Sequence, residues 1–256
     1  MGRMAGDDVP FDAALEWKLR AAAIPAAIVL AVAFHASPTG HFVQRTFLSM
    51  MVHELGHAVT AWWCGFAAIP TLWKTLIPQS RQALVSLLVL ALAAYVIARG
   101  WSPRRWWIVA VGAGLIVGML AGTVELSRDR AHEAITFGGD AGAMILGTLL
   151  MMTFFVGPES QLRTNQLRWG FLVIGAAALV DTFSTWWTAR ADPDVIPFGE
   201  IEGVGLSDPS KLDEVYGWTT HQIVHRYVVV GVACGVALAV AWAYFTYTAR
   251  RAADRA

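Results

Sequence analysis

The sequence has few charged residues and no excess of charge of either sign. Only 15% of its 256 residues are charged, and the 19 basic residues equal the 19 acidic ones in number. A nucleic-acid-binding protein carries a basic surface, so this composition predicts no nucleic-acid partner. Since 56% of the residues are hydrophobic, the chain has too little polar material to cover a soluble core, which indicates that lipid surrounds most of it.

Cysteine is scarce as well. The two cysteines, Cys64 and Cys234, both lie in apolar stretches, where they resemble small hydrophobic residues. A disulfide framework is therefore not expected. No part of the sequence resembles a PDZ or a CBS module, so regulatory domains of these two types are not predicted.

Long apolar stretches are what the sequence has in abundance. A helix needs about 20 residues to cross the hydrocarbon core, and only a closed hydrogen-bonding pattern is stable there. Seven stretches approach this length, separated by Pro, Gly and Ser and flanked by Trp, as is typical of helix ends at a membrane surface. They cover approximately residues 19–35, 43–64, 82–99, 105–122, 135–156, 169–189 and 225–248.

We therefore predict an all-α fold, a polytopic transmembrane helix bundle of about six to seven membrane segments. Residues 1–256 form a single integral membrane domain in the lipid bilayer, with one polar extramembrane loop at about 190–224. Arginines in short loops and at the tail indicate their cytoplasmic side, which predicts a multi-pass protein of a bacterial-type cytoplasmic (inner) membrane. The side of the N-terminus stays open. Seven crossings would place it outside, whereas the basic residues near it favour the inside, and the two agree only if one early segment does not cross.

The second stretch, a predicted helix at about 43–64, contains an HExxH motif made by His53, Glu54 and His57. Residues four apart share one face of a helix, so both imidazoles can bind one Zn²⁺ ion, with Glu54 placed as a general base. Such motifs also arise by chance on soluble helices. Ionisable residues within a membrane segment, however, cost about 2–3 kcal/mol or more each unless they are paired, bound to metal or in a polar cavity. The location of the motif therefore favours a metal site.

The residues from His53 to Ala61, followed by Cys64, Gly65 and Phe66, resemble the signature helix of the site-2-protease-like intramembrane zinc metallopeptidases. The likeness is confined to this region. It implies that His53 and His57 bind zinc, that Glu54 activates water, and that an aspartate at the start of a later segment is the third ligand. A membrane protein or a peptide is the substrate that the resemblance implies.

Two aspartates compete for the third ligand position. Asp140 lies among glycines at the opening of the fifth stretch and resembles the Asp-Gly element of the family, although Ala141 stands in place of the glycine. Its alternative role is that of a carboxylate favoured at a helix N-terminus. Asp181 lies near the middle of the sixth stretch, where it can be a ligand, an acceptor for a metal-bound imidazole, or the partner of an arginine. We predict Asp140 as the ligand.

Three weaker signals remain. His221 and His225 repeat the four-residue spacing without a following glutamate, which is more typical of an interfacial helix end than of a second metal site. His132 and Glu133 lie among mixed charges and are interpreted as solvated loop residues. Residues 196–203 alternate apolar and polar like a short strand, whose edge can pair with an extended peptide, although an ordinary loop is the more frequent meaning of such a pattern.

Together these features predict an intramembrane zinc metallopeptidase with Glu54 as the catalytic residue and His53, His57 and Asp140 as the metal ligands. A membrane transporter or relay for protons or divalent metal is an alternative use of the same buried residues. It predicts half-helices or inverted repeats, and the sequence shows neither. A non-catalytic scaffold related to the protease is the other alternative, and it does not need Glu54. The identity of the substrate and the oligomeric state stay open.

Overall fold

The computed structural model describes residues 13–201 and 205–255 and confirms the all-α helical bundle. Most of the chain forms long helices joined by short turns. The helices are α1 (Ala13–His35), α2 (Pro38–Val43), α3 (Met50–Trp63), α4 (Ala83–Trp101), α5 (Trp106–Leu120), α6 (Arg128–Met152), α7 (Gln161–Thr164), α8 (Leu167–Thr188), α9 (Asp208–Ser210) and α10 (Thr220–Ala253). Three π-helical segments, Gln44–Ser49, Ala121–Glu125 and Lys211–Val215, continue α2, α5 and α9.

Two short hairpins are the strand structure of the described residues. Strand β1 (Ile69–Pro70) pairs antiparallel with β2 (Thr75–Leu76), and β3 (Glu200–Ile201) pairs antiparallel with β4 (Gly205–Leu206). Strand β3 falls within the strand predicted at 196–203 but covers only two of its residues, and Glu202 and Gly203 lie outside the described residues. Each hairpin follows or precedes a long helix, so the hairpins extend the bundle at its surface.

Six helices in the described ranges are long and apolar enough to cross a membrane, which makes this a multi-pass membrane protein. They are Ala14–His35, Ala83–Trp101, Ile108–Glu125, Arg128–Phe155, Leu167–Thr188 and Thr220–Ala253. The segment predicted at about 43–64 is not among them. It forms the continuous helical stretch from α2 through α3, in which Gln44, Arg45 and the HExxH residues interrupt the apolar sequence.

One end of the bundle is rich in arginine. Glu16 near the start of α1 accepts hydrogen bonds from Arg163 and Arg168, at the beginning of the α7–α8 region. The indole of Trp242 in the second half of α10 donates to the carbonyl of Ala21. These contacts bring the start of α1, the start of α8 and the end of α10 together, and we call this the arginine end.

The opposite end, which we call the loop end, gathers the other helix termini. Trp218, just before α10, donates its indole N–H to Glu133 in the second turn of α6. Arg81, just before α4, donates to carbonyl groups at the end of α5. Trp63, the last residue of α3, has its carbonyl beside Gly122 at that same end. The stretch from α2 to α3 thus begins after α1 and ends at the loop end, so it does not cross between the two ends of the bundle.

Glu133 differs from its sequence interpretation. It is only 8% exposed and lies within α6, where it accepts hydrogen bonds from Trp218 and Arg130. The prediction of a solvated loop at His132 and Glu133 is wrong, because α6 begins at Arg128, seven residues before the predicted apolar stretch at 135–156. Ser127 caps this helix by accepting from the backbone N–H of Arg130, which explains the early start.

Helices α3 and α6 pack with their backbones in contact. A methyl group added at Gly56 of α3 would lie 2.5 Å from the carbonyl oxygen of Gly138 and 2.9 Å from the Cα of Gly142. Small residues permit this approach in membrane bundles, where close packing holds helices together. The contact brings the HExxH face of α3 directly against the middle of α6.

Gly56→Ala is expected to destabilise the protein, since its methyl group meets backbone atoms that cannot move aside. The expected loss is about 1–3 kcal/mol of unfolding free energy, the usual cost of overpacking. The matched control is Gly114→Ala in α5, where nothing lies within 4 Å of the added carbon. Thermal unfolding in detergent should show a lower midpoint for Gly56→Ala alone, and an unchanged midpoint would contradict the close helix contact.

Candidate metal centre

The two histidines of the HExxH motif face one point, as their spacing predicts. His53 and His57 are each 8% exposed, and their Nε2 atoms lie 3.1 Å apart. Their rings stand at 89° to one another, with centroids separated by 4.7 Å. This mutual orientation allows both Nε2 lone pairs to be directed at a single ion.

The outer nitrogen of each imidazole is held by α6. His57 Nδ1 lies 2.7 Å from the carbonyl oxygen of Ile135, and His53 Nδ1 lies 2.8 Å from Oδ1 of Asp140. A carbonyl oxygen only accepts, so His57 carries its hydrogen on Nδ1, and the carboxylate imposes the same arrangement on His53. Both Nε2 atoms are then left as lone-pair donors, the form in which histidine binds a metal.

Asp208 supplies the third atom at this point. Its Oδ2 lies 2.9 Å from Nε2 of His57 and 3.2 Å from Nε2 of His53. Asp208 begins α9, and the preceding Ser207 caps that turn by accepting from the backbone N–H of Ser210. Burial alone would raise the pKa of Asp208, but when no metal is bound, protons carried by the neighbouring imidazoles of His57 and His53 lower that pKa well below its usual value, and a cation would take the place of those protons. The carboxylate is therefore in the anionic form that binds a cation.

Asp140, the predicted third ligand, lies on the other side of His53. Its Oδ1 accepts from Nδ1 of that imidazole, and its Oδ2 accepts from the indole N–H of Trp186 at 2.8 Å. Both oxygens are thus engaged away from the two Nε2 atoms. In this geometry Asp140 contacts the outer nitrogen of His53, and it is Asp208 that joins His53 and His57 in a group that could hold a metal ion.

The three atoms fit a zinc ion. Two ligand atoms of a tetrahedral zinc site lie about 3.3 Å apart when their bonds are about 2.0–2.1 Å long. The separations among His53 Nε2, His57 Nε2 and Asp208 Oδ2 are 3.1, 2.9 and 3.2 Å, close to that value. Two neutral imidazoles and a carboxylate that converge in a buried place present only lone pairs to one another, and a cation at their centre satisfies all three. The donor set leaves one position open for a reactant.

Asp181, the competing aspartate, does not reach this site. It contacts His35 and His41 at 3.4 and 3.0 Å through its Oδ1 and the guanidinium of Arg45 at 3.2 Å through its Oδ2. Of the roles considered for Asp181 from the sequence, the structure shows the pairing with an arginine, and two histidines also contact this carboxylate.

The other histidine pair is separate from both groups. The rings of His221 and His225 are parallel, with centroids 6.1 Å apart, at the start of α10. Among the described residues, no carboxylate joins them in a group that could hold a metal ion. They remain a helix-end pair, as interpreted from the sequence.

Glu54 lines a cavity of about 410 Å³ that contains the two histidines and Asp208. Its side chain is 5% exposed. The hydroxyl oxygen of Thr75 in β2 lies 2.8 Å from both the carbonyl oxygen and Oε2 of Glu54, and its single hydrogen can go to either. The β1–β2 hairpin thus fixes the Glu54 carboxylate at the cavity. The remaining lining side chains include both cations and apolar residues: Arg45, Met50, Trp73, Lys74, Ile77, Thr136, Pro197, Leu206 and Lys211.

Sequence reasoning did not find three functional residues. Asp208, Trp186 and Thr75 each come from a segment distant in sequence from the HExxH motif. Asp208 had one usable signal, since Ser207, Asp208 and Pro209 form a capped turn with an acidic residue beside a short strand. Nothing in the sequence pairs that turn with α3, because its position depends on how the whole loop returns to the bundle.

No protein family model, no curated protein and no solved structure matches this chain. The fold and the site define a membrane helix bundle with a possible metal-binding arrangement of two histidines and an aspartate. The likeness to site-2-protease-like peptidases stays at the level of the motif around His53.

Replacement of the two aspartates should separate a ligand from an orienting residue. Asp208→Ala removes one of three metal-binding atoms and is expected to abolish tight zinc binding at this site. Asp140→Ala leaves all three atoms and should weaken binding by about 10–100-fold, the usual effect of losing an orienting partner. Asp213→Ala, at an exposed carboxylate in the same loop, is the control and should bind zinc normally.

The measurement is a competition titration of the purified protein against a chelator of known zinc affinity. If Asp208→Ala kept full affinity while Asp140→Ala lost it, the assignment of the two carboxylates would have to be reversed.

Proposed function

We propose that this membrane protein is a zinc-dependent peptidase that hydrolyses a peptide bond in or next to the bilayer. The single observation that carries the proposal is the convergence of His53, His57 and Asp208 on one point, with Glu54 in the same buried cavity. A structural zinc site needs no adjacent glutamate, whereas a hydrolytic site needs a base beside an open coordination position.

His53, His57 and Asp208 are the residues that would hold the zinc ion. When bound there, zinc supplies a Lewis acid for a carbonyl oxygen and lowers the pKa of water. Asp140 and the carbonyl of Ile135 keep both imidazoles in the required tautomer and orientation. These five protein groups act before any reaction, because they fix where a reactant can bind.

Glu54 moves the proton. As water attacks the carbonyl carbon of the peptide, Glu54 accepts the proton that the water loses. It then passes that proton to the amide nitrogen as the C–N bond breaks, so that the products are a carboxylic acid and an amine. The hydroxyl of Thr75 holds one carboxylate oxygen of Glu54, which leaves the other oxygen for this transfer.

The cavity also suits an extended peptide. Trp73, Lys74 and Thr75 of the β1–β2 hairpin lie on one side of it, and Leu206 and Ser207 of the β4 region lie on another. The backbone edge of a short strand can hydrogen-bond to a peptide in extended form. A protease needs its substrate extended, because a helix hides its amide groups within its own hydrogen bonds. These hairpins support a peptide over a small solute as the substrate.

The site belongs to the loop end of the bundle, opposite to the arginine end. Asp208 comes from the polar loop between α8 and α10, and α3, which carries both histidines, ends at the loop end. Basic residues favour the cytoplasmic side of a membrane. We therefore propose a bacterial-type cytoplasmic membrane as the location, with the arginine end inside and hydrolysis towards the outer face.

Glu54→Gln is the test of the proposed function. The amide keeps the size of the side chain but cannot accept the proton, so cleavage of a model transmembrane substrate should fall by about 10²–10⁴-fold. Zinc binding should stay at the level of the unchanged protein, because Glu54 supplies none of the three ligand atoms. Glu159→Gln, at an exposed loop carboxylate, is the control and should cleave normally.

Two outcomes would count against a peptidase. One is full cleavage by Glu54→Gln. The other is zinc movement across proteoliposomes at a normal rate by Glu54→Gln, combined with no cleavage by the unchanged protein, which would favour the transporter alternative.

Thr75→Val should lower the rate of cleavage without loss of zinc. The valine has the same shape but no hydroxyl, so the Glu54 carboxylate loses one hydrogen bond, and kcat is expected to fall by about 2–10-fold. Thr71→Val is the matched control, because Thr71 donates to the carbonyl of Lys74 within the same hairpin and does not contact Glu54. Equal effects of the two variants on kcat would mean that only the stability of the hairpin matters.

A further inference from the structure

A second group of metal-binding side chains lies outside the HExxH site. His35 ends α1, His41 lies in α2, and Asp181 lies in α8. His35 Nδ1 is 3.4 Å and His41 Nε2 is 3.0 Å from the same oxygen, Oδ1 of Asp181. The three atoms lie within 4.8 Å of one another. The chain thus brings together two imidazoles and one carboxylate, the donor set of the first site, for a second time.

The short contacts of the two imidazoles with Oδ1 of Asp181 do not have good hydrogen-bond geometry. Asp181 is fully buried, yet its Oδ1 accepts no hydrogen bond of acceptable geometry from any residue in the described ranges. The buried Nδ1 of His35 likewise has no hydrogen-bond partner among the described residues. Leaving buried polar atoms without partners is costly. Lone pairs that approach one another without a hydrogen between them are satisfied together when a cation lies at the point that they share.

The surroundings are compatible with a bound cation. Arg45 contacts Asp181 at 3.2 Å through Oδ2 and leaves Oδ1 to the two histidines. The side chain of His41 is 45% exposed and that of His35 is 23% exposed, so water reaches the group. Water can then complete the coordination shell and screen the cation from the guanidinium. The charge of Arg45 makes binding weaker than it would be without that residue.

We propose that His35, His41 and Asp181 bind a second divalent transition-metal cation, for which Zn²⁺ is the probe. This ion is more weakly held than the ion at His53 and His57. In the first site the outer nitrogen of each imidazole is hydrogen-bonded, whereas the described residues show no hydrogen bond to the outer nitrogens of the second group, Nε2 of His35 and Nδ1 of His41. Loss of such partners lowers metal affinity by about 10–100-fold.

The second ion adjoins the proposed catalytic cavity through one residue. Arg45 contacts Asp181 and also lines the cavity that holds the HExxH histidines. The two sites are nevertheless made of different ligands, so each can be emptied or removed alone. The proposal of a second site therefore does not depend on the proposed peptidase activity.

Zinc stoichiometry of the full chain tests this proposal. The purified protein in detergent is equilibrated at stepped free zinc concentrations, and bound zinc is measured by elemental analysis after rapid gel filtration. The unchanged protein should bind about two ions per chain in two phases separated by roughly 10–100-fold in affinity. Cobalt titration gives a second readout, because Co²⁺ held by nitrogen and oxygen donors shows d–d absorption that ions in solution do not.

Variants assign each phase to its ligands. His41→Ala should lose the weaker phase and keep the tighter one, and His57→Ala should do the reverse. His221→Ala is the matched control, since it removes a histidine from the exposed pair on α10, and it should keep both phases. His35→Ala repeats the test from a second helix, with unfolding temperature recorded for each variant.

Binding of a single ion by the unchanged protein would overturn the proposal. So would a weaker phase that survives both His41→Ala and His35→Ala, or one that disappears in His221→Ala, since the latter result would assign it to the surface pair.

Discussion

The close contact of α3 with α6 is the constraint on which the rest of the site depends. Glycines at Gly56, Gly138 and Gly142 let the two backbones meet, and this places Asp140 and the carbonyl of Ile135 beside the outer nitrogens of the HExxH histidines. Both imidazoles are therefore oriented by a single neighbouring helix. The polar face of α3 is stable inside a membrane bundle only because α6 and the loop around Asp208 supply it with polar partners. The partners on α6 also leave the Nε2 lone pairs of the two histidines directed at one point.

Much of the fold could be predicted from the sequence, because each helix that crosses a bilayer must be long and apolar whatever its neighbours are. Six of the seven predicted stretches are long apolar helices. The stretch at 43–64 was misleading because its length resembles that of a span, while its polar residues include Gln44 and Ser49, whose side chains bond to the carbonyl of Ala177 in α8. Whether such a segment crosses depends on its tertiary partners, and those partners also decide on which side the chain begins.

The site divides in the same way. His53 and His57 could be predicted because helical spacing alone places them on one face. Asp140 was found as an important carboxylate, but sequence cannot distinguish a residue that contacts Nδ1 of a histidine from one that faces Nε2, since the two positions differ by a few ångströms of packing. Asp208 could not be paired with the motif, because its position depends on the path of the whole loop between α8 and α10. Local periodicity predicts which residues share a helix face, and it has no information on the segment that closes over that face.

In the proposed zinc site Asp208 lies on a loop, whereas His53 and His57 lie on a packed helix, and this difference has a consequence for the lifetime of the protein in a cell. An ion bound by all three groups would join the loop to the helix bundle. The free energy of ion binding and the ordering of the loop would then be thermodynamically linked. Removal of such an ion would release the loop segments 192–201 and 205–218, and their amide hydrogens would then exchange with solvent before those of the helices. A lack of the metal in the cell would then shorten the half-life of the protein and also abolish the proposed peptidase activity.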